Sequence, residues 1–285
     1  MHKPEYFYRP TQLLNRLGQF LSPPAPGLRD IPLVWGSTIK ANPSQTIGRS
    51  LYSFGLYDLA LSEMIYRLVR PGDVVLDIGA NIGYTSRLIL DCLGEKGNLF
   101  SYEPVPELFS LLQQNVPDGP VMKAFNFALS SQTGEATLNL PDSFQDNEGI
   151  ASLEKRDDGK QITIQTKTLD SLMSDKKVRL MKIDVEGHEL SVLKGAENCF
   201  TRQIFENILF EDLQGAGGET SKFLESMGYR IYKVVKAFQG LRLESPEYKQ
   251  RHTFEPDNFL ATKDTSLAAQ INNRVEWQLY SWKRK

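Results

Sequence analysis

Three side chains able to hold or move a proton recur at alternate positions in the run MKIDVEGHEL: Asp184, Glu186 and His188. On an extended segment that spacing places all three on one face, together with Lys182 two residues earlier. A hydroxyl is a poor nucleophile, and a base that removes its proton helps it attack. Histidine titrates nearest neutrality, so His188 suits that task. Asp184 or Glu186 could act instead, or could orient His188, and Asp184 could equally contact a cofactor. A plainer reading stays open: acids here favour a helix N-terminus, the preferred reading for Glu189, and His188 is a surface residue. The same stretch with Glu211 and Asp212 would offer ligands to a divalent metal if the loops converged. Neighbouring acids on a strand face opposite ways, and the spacing fits no fixed metal motif. A divalent metal is therefore not favoured.

A second constellation lies at Val74–Tyr84, VVLDIGANIGY. An apolar run ends in Asp77, then Gly79, Asn81 and Gly83 form a turn, and from Ile82 the apolar positions take helical spacing. Such a strand, turn and helix lets a small ligand lie against bare backbone at a helix N-terminus. The turn is neither a Gly-x-Gly-x-x-Gly fingerprint nor a triphosphate loop. Acid first and glycines after is the pattern of S-adenosylmethionine (SAM) methyltransferases. Glu103, about 25 residues beyond the turn, is placed to accept ribose hydroxyls, and Pro104 ends its strand. The helix start, with Tyr84, would face a carboxylate, and Asp77 an ammonium, directly or through the turn. Asn126 and Ala128 mark where an adenine edge should lie, since Asn126 offers both a donor and an acceptor.

The elements that must position these groups alternate. Leu56–Val69 reads as helix, stopped by Pro71-Gly72; Val74–Ile78 is strand and Ile82–Leu93 helix; Asn98–Tyr102 is strand and Pro106–Val116 helix; Val121–Phe127 is a third strand. Ala136–Leu140 and Gln161–Lys167 alternate like antiparallel strands around a polar stretch, Pro141–Lys160. Val178–Val185 restores the parallel pattern, followed by a helix at Glu189–Phe200, strands at Asn207–Leu213 and Tyr229–Val235 with a helix near Glu219–Met227 between them, and a last strand at Asn258–Thr262. The expected fold is α/β: a doubly wound, mostly parallel sheet with a small antiparallel insertion. Ligands in such sheets sit outside the carboxyl ends of the strands, where Asp77, Glu103, Asn126, Asp184 and Glu211 all fall. The expected division is an irregular arm or lid over residues 1–50, a main domain over 51–263 with the insertion at about 130–168, and a docking helix over 264–285.

With 285 residues and 40% hydrophobic content the chain can bury a full core. A net charge of −2 and the absence of an Asn/Asp-Pro-Pro-Tyr/Phe motif argue against nucleic acid as a partner. Cys92 and Cys199 lack Cys-x-x-Cys spacing and read as free thiols of a reducing cytoplasm. No stretch is long and apolar enough for a membrane span, and MHKPEYFYRP has no apolar core of the kind a secretion signal needs. A homo-oligomer stays open.

DIGANIGY, the YEP of Tyr102–Pro104 and MKIDVEGHELSVLKGA together resemble the FkbM family of SAM-dependent methyltransferases. The likeness runs from about Ile47 to about Thr262; NFALSSQTGE and Gly149–Leu153 (GIASL) also look like family elements, the latter as an acceptor contact. The resemblance implies a Rossmann-like class I methyltransferase fold with SAM as cofactor. It also implies transfer to a hydroxyl of a sugar, glycan or natural product. The competing readings are a non-catalytic SAM- or nucleotide-binding module in an assembly complex and, more weakly, an NAD-dependent oxidoreductase.

Overall fold

Val74–Ile78 is aliphatic apart from Asp77 and is buried along nearly its whole length, so it forms a central strand covered on both faces. The computed structural model describes residues 25–145, 159–212, 215, 217–249 and 257–282. In chain order its strands are β1 (Arg29–Pro32), β2 (Thr38–Ala41), β3 (Val74–Ile78), β4 (Asn98–Tyr102), β5 (Met122–Phe125), β6 (Ala128–Leu129), β7 (Gly134–Leu140), β8 (Lys160–Lys167), β9 (Leu180–Ile183), β10 (Asn207–Glu211), β11 (Arg230–Ala237), β12 (Gly240–Glu244) and β13 (Asn258–Thr262). Its helices are α1 (Thr46–Phe54), α2 (Leu59–Leu68), α3 (Tyr84–Leu93), α4 (Pro106–Asn115), α5 (Leu169–Leu172), α6 (Glu189–Lys194), α7 (Glu197–Thr201), α8 (Glu219–Ser226) and α9 (Leu267–Asn272).

The main sheet has eight strands in the order β12-β11-β13-β10-β9-β3-β4-β5. From β5 to β10 every pairing is parallel, while β13 runs antiparallel between β10 and β11, and β12 antiparallel at the edge. The doubly wound, mostly parallel α/β sheet expected from the sequence is thus present. The chain leaves β3 toward β4 and β5, then returns to lay β9 on the other side of β3. That reversal opens a crevice at the carboxyl ends of β3 and β9, the place where such sheets bind ligands. The insertion is a separate three-stranded sheet, β6-β8-β7, with β7 and β8 antiparallel.

Four elements differ from expectation, each for a physical reason. Residues 29–54 are not irregular: β1 and β2 form a hairpin and α1 follows it. Ile31, Trp35 and Ile39 are buried in the main core, and the Trp35 indole donates to the Asp91 carboxylate of α3 at 2.9 Å. The helix expected at Glu189–Phe200 is two helices. The Asp170 carboxylate accepts the N–H groups of Asn198 and Cys199 and so starts α7 anew. At the break a Cβ on Gly195 would stand 2.0 Å from the Ser130 carbonyl oxygen, so the insertion packs into the notch. The docking helix expected from Thr265 is α9 followed by a short 3-10 turn at Gln278–Tyr280, with Val275 63% exposed. There the carbonyls of Ile271, Arg274 and Glu276 accept from Arg67, and the N–H groups of Gln278 and Leu279 donate to Glu63. A buried Glu63–Arg67 pair thus replaces the helix's own ladder. Finally, β12 was not expected; it closes a hairpin on β11 through a two-residue turn at 238–239. The 1–24 part of the arm, most of Pro141–Lys160 with Gly149–Leu153, and Leu213 lie outside the described residues. No described helix is long and apolar enough to cross a membrane.

Candidate functional site

The turn after β3 is held from beneath. Asp77 is fully buried, and one carboxylate oxygen accepts from the hydroxyls of Thr85 (2.7 Å) and Ser86 (2.6 Å), which lie in the first turn of α3. Its other oxygen lies 3.4 Å from Lys182 Nζ, an ionic contact without a hydrogen bond. Lys182 Nζ donates to the Gly79 carbonyl at 2.7 Å and stands 3.5 Å from Asp184. Burial alone would lower the Lys182 pKa, but the carboxylates of Asp184 and Asp77 outweigh it and hold it above the ordinary value. Of the two roles expected for Asp77, its burial below the backbone favours the one that works through the turn.

Gly79 has φ +76°, and a Cβ there would lie 1.9 Å from the Asp184 carbonyl oxygen. Only glycine lets the end of β9 approach the turn so closely. Asn81, with φ +50°, donates its N–H to Glu103 Oε2 at 2.8 Å. Val105 donates its N–H to Oε1 of the same carboxylate at 2.9 Å. Glu103 is 5% exposed, so it does not face bulk solvent, and burial pushes its pKa up to about 7 against those two N–H groups and Lys182. Each oxygen keeps a second lone pair, so two hydroxyls could still be accepted. Gly83, at φ +90°, begins α3, whose first-turn N–H groups have no partner within the helix. Asn126 donates its amide to the carbonyls of Glu103 (2.9 Å) and Pro104 (3.0 Å), which leaves its oxygen, not its donor, for a ligand. Tyr84 turns its ring into the core and its hydroxyl to Ser62 at 2.8 Å, so it braces the turn. Ala128, buried in β6 against β8, lies beyond the third strand rather than at its tip.

The acceptor half is a turn, which corrects the shared-face expectation for Asp184, Glu186 and His188. Strand β9 ends at Ile183, then Glu186 (φ +51°) and Gly187 (φ +93°) reverse the chain, and His188 donates its N–H to the Val185 carbonyl at 3.3 Å. Glu189 is buried beneath that turn and accepts the N–H groups of Val185 and Gly187, matching its expected structural role. His188 faces the insertion, with Nε2 2.9 Å from the Ser130 hydroxyl. The Asp184 side chain is 39% exposed beside Lys182. At the tip of the neighbouring strand β10, burial and then the carboxylates of Asp184, Glu186 and Glu189 push the Glu211 pKa up to about 8. Asp212, by contrast, is buried against Ser221 and Gly218. Among the described residues, no three His, Cys, Asp or Glu side chains converge as a metal site.

The structure thus brings together Asp77, Gly79, Asn81, Gly83, Glu103, Pro104, Asn126 and Asp184. A cleft of about 300 Å³ lined by Tyr66, Pro71, Cys92 and Trp282 lies at the other end of the strands and does not involve them. Sequence reasoning put Lys182 on the acceptor face and gave it no task, although a lysine buried between two acids is the keystone of the turn. It also passed over Thr85 and Ser86, whose signal is a pair of hydroxyls directly after the last glycine, and over Tyr57 and Ser130.

The family model described as Methyltransferase FkbM domain matches residues 77–231. The chain is similar to a hexuronic acid methyltransferase AglP of Haloferax volcanii, at 33% identity over 150 residues, covering 50% of this chain and 59% of that protein. It is similar to a 2-O-methyltransferase NoeI of Sinorhizobium fredii, at 28% identity, covering 50% and 65% of the two chains. A 31-O-demethyl-FK506 methyltransferase FkbM of Streptomyces tacrolimicus shares 26% identity over 57% of this chain and 75% of that one. The chain therefore spans about three fifths to two thirds of the first two relatives' lengths. Among solved structures, a methyltransferase FkbM from Methylobacillus flagellatus superposes with a TM-score of 0.42 at 14% identity, covering 76% of this chain and 54% of that one.

Proposed function

The chain belongs to the FkbM methyltransferase family, and on that premise we propose that it transfers a methyl group from SAM to a hydroxyl oxygen of a sugar, glycan or natural product. The observation that carries this reading is that the matched segment sets a buried, backbone-held Glu103 beside the Gly79–Gly83 turn, at the point where strand order reverses. The named relatives act on a hexuronic acid, at a 2-O position and on 31-O-demethyl-FK506, which supports an oxygen acceptor.

When bound, SAM supplies a methyl group already activated on a positively charged sulfur. In this reading Glu103 accepts the ribose hydroxyls, the Asn126 oxygen accepts from adenine, and the first-turn N–H groups of α3 meet the methionyl carboxylate. Lys182 fixes the Gly79 carbonyl and, with Asp77, the shape of the turn. Asp184, partly exposed beside that turn, takes the acceptor's proton; His188, held by Ser130, and Glu186 border the acceptor. Proton removal is given to these side chains rather than to a divalent metal, so dialysis against a chelator leaves the rate unchanged. The test is calorimetry with SAM and S-adenosylhomocysteine, followed by a hydroxyl-acceptor panel read by S-adenosylhomocysteine release. If neither ligand binds, the reading fails; if both bind and no acceptor is ever methylated, the chain is a binding module.

A further inference from the structure

Tyr57 is one of few large apolar or aromatic residues left exposed, at 43%, and it stands at the carboxyl end of the sheet rather than on an outer face. It sits in the short connection between α1 and α2, which is pinned at both sides. Asp58 accepts the Leu61 N–H at 2.9 Å, capping α2, and its second oxygen accepts from Asn258 at 3.1 Å. Asn258 is the register partner of Glu211, so Tyr57 is anchored to the tip of β10. On its other side the Tyr57 ring meets Tyr84, the first residue of α3, edge to face at 6.3 Å and 82°. An exposed ring is thus fixed between the glycine turn and the acceptor side of the crevice. Burial of its phenol end and then the carboxylates of Asp184, Asp58, Glu211 and Glu186 hold its proton on.

Resting on the function proposed above, we infer that Tyr57 is the acceptor platform, stacking one face of a polyhydroxylated ring, and that the partly exposed Asp184 near it makes that ring uncharged rather than carboxylated. A pinned aromatic gives contact area at low ordering cost, and the Asp184 carboxylate accepts hydroxyl hydrogens while repelling another carboxylate. The phenol, protonated at any working pH, can also donate to a ring or hydroxyl oxygen of the bound sugar.

The experiment uses the full chain loaded with S-adenosylhomocysteine and ligand-observed NMR of paired probes, methyl pyranosides and the matching methyl uronides. Neutral probes are expected to show contacts about tenfold stronger than the uronides. Tyr57→Ala should remove most of the signal, Tyr57→Phe should keep the stacking part of it, and both should bind S-adenosylhomocysteine within about twofold of the parent, which also shows that they fold. Asp184→Asn should narrow the gap between neutral and acidic probes. Preferred uronides, an unchanged signal in Tyr57→Ala, or no contact with any ring overturns the inference. Failure of S-adenosylhomocysteine itself to bind instead removes the function on which it rests.

Discussion

Two acid–base clusters, one sealed and one with an acid partly open to solvent, are built in opposite ways. Beneath the C-terminal segment, Glu63 and Arg67 meet at 2.7 Å, and every further contact is a directed hydrogen bond: two N–H groups on the glutamate, three carbonyls on the guanidinium. Beneath the glycine turn, Lys182 reaches Asp77 and Asp184 only at 3.4 and 3.5 Å, one Asp77 oxygen has no hydrogen bond, and Glu103 and Glu211 nearby carry pKa values pushed up to about 7 and about 8. The first cluster satisfies every donor and acceptor, as a purely structural ion pair must. The second keeps loose distances and acids that resist ionisation, which is where perturbed titration and function coincide. Geometry of this kind has room to tighten when a ligand enters.

Substitutions can break the contrast. The largest effect is expected from Gly79→Ala. Its Cβ would collide with the Asp184 carbonyl, and φ +76° adds strain, so a loss of several kcal/mol and of measurable S-adenosylhomocysteine binding should follow in denaturation and calorimetry. Arg67→Met strands a buried carboxylate and should cost about 3–5 kcal/mol in urea unfolding. Its donor affinity, measured in the cold on folded protein, should stay at the parent value; a matching loss there would erase the distinction between the clusters.

Glu103 sharpens the contrast through pH. Its folded pKa lies above that of the unfolded chain, so the folded state holds the proton more tightly. The resulting stability is fully present below about pH 4.5 and is lost as pH rises through about 7, on the order of 3 kcal/mol at most. Thermal midpoints measured from pH 5 to 8 should therefore fall more in the parent than in Glu103→Gln. Donor affinity should run the other way, rising as the carboxylate ionises. Lys182→Met should cost about 1–3 kcal/mol, less than Arg67→Met, yet weaken S-adenosylhomocysteine at least tenfold; the reverse ranking would make Lys182 a mere strut. The smallest effect belongs to Ser130→Ala, which removes the bond to His188 and should cost about 1 kcal/mol. It should raise acceptor KM while leaving donor affinity alone.

What could be read from the sequence was local. Asp77, Gly79 and Gly83 follow from a strand, turn and helix contiguous in the chain, and Glu103 from the end of the next strand. The tail and the Glu189–Phe200 region misled because their apolar stripes continue in sequence while their backbone groups bond elsewhere: to Arg67 and Glu63 in one case, to Asp170 in the other. Tyr57 was invisible for a related reason. Its place depends on Asp58 meeting Asn258, 200 residues away, which no periodicity records. The alternation of Asp184, Glu186 and His188 suggested a strand, but Gly187 allowed a reversal that sends His188 toward Ser130.

Ser130 touches the neighbouring segment twice, its carbonyl against the notch at Gly195 and its hydroxyl on the imidazole. The loop that begins there and returns at Lys167, whose carbonyl accepts the Ser130 N–H, is consequently clamped at its root. On the function proposed above, changes in residues beyond that clamp alter the choice of acceptor while leaving the attachment in place.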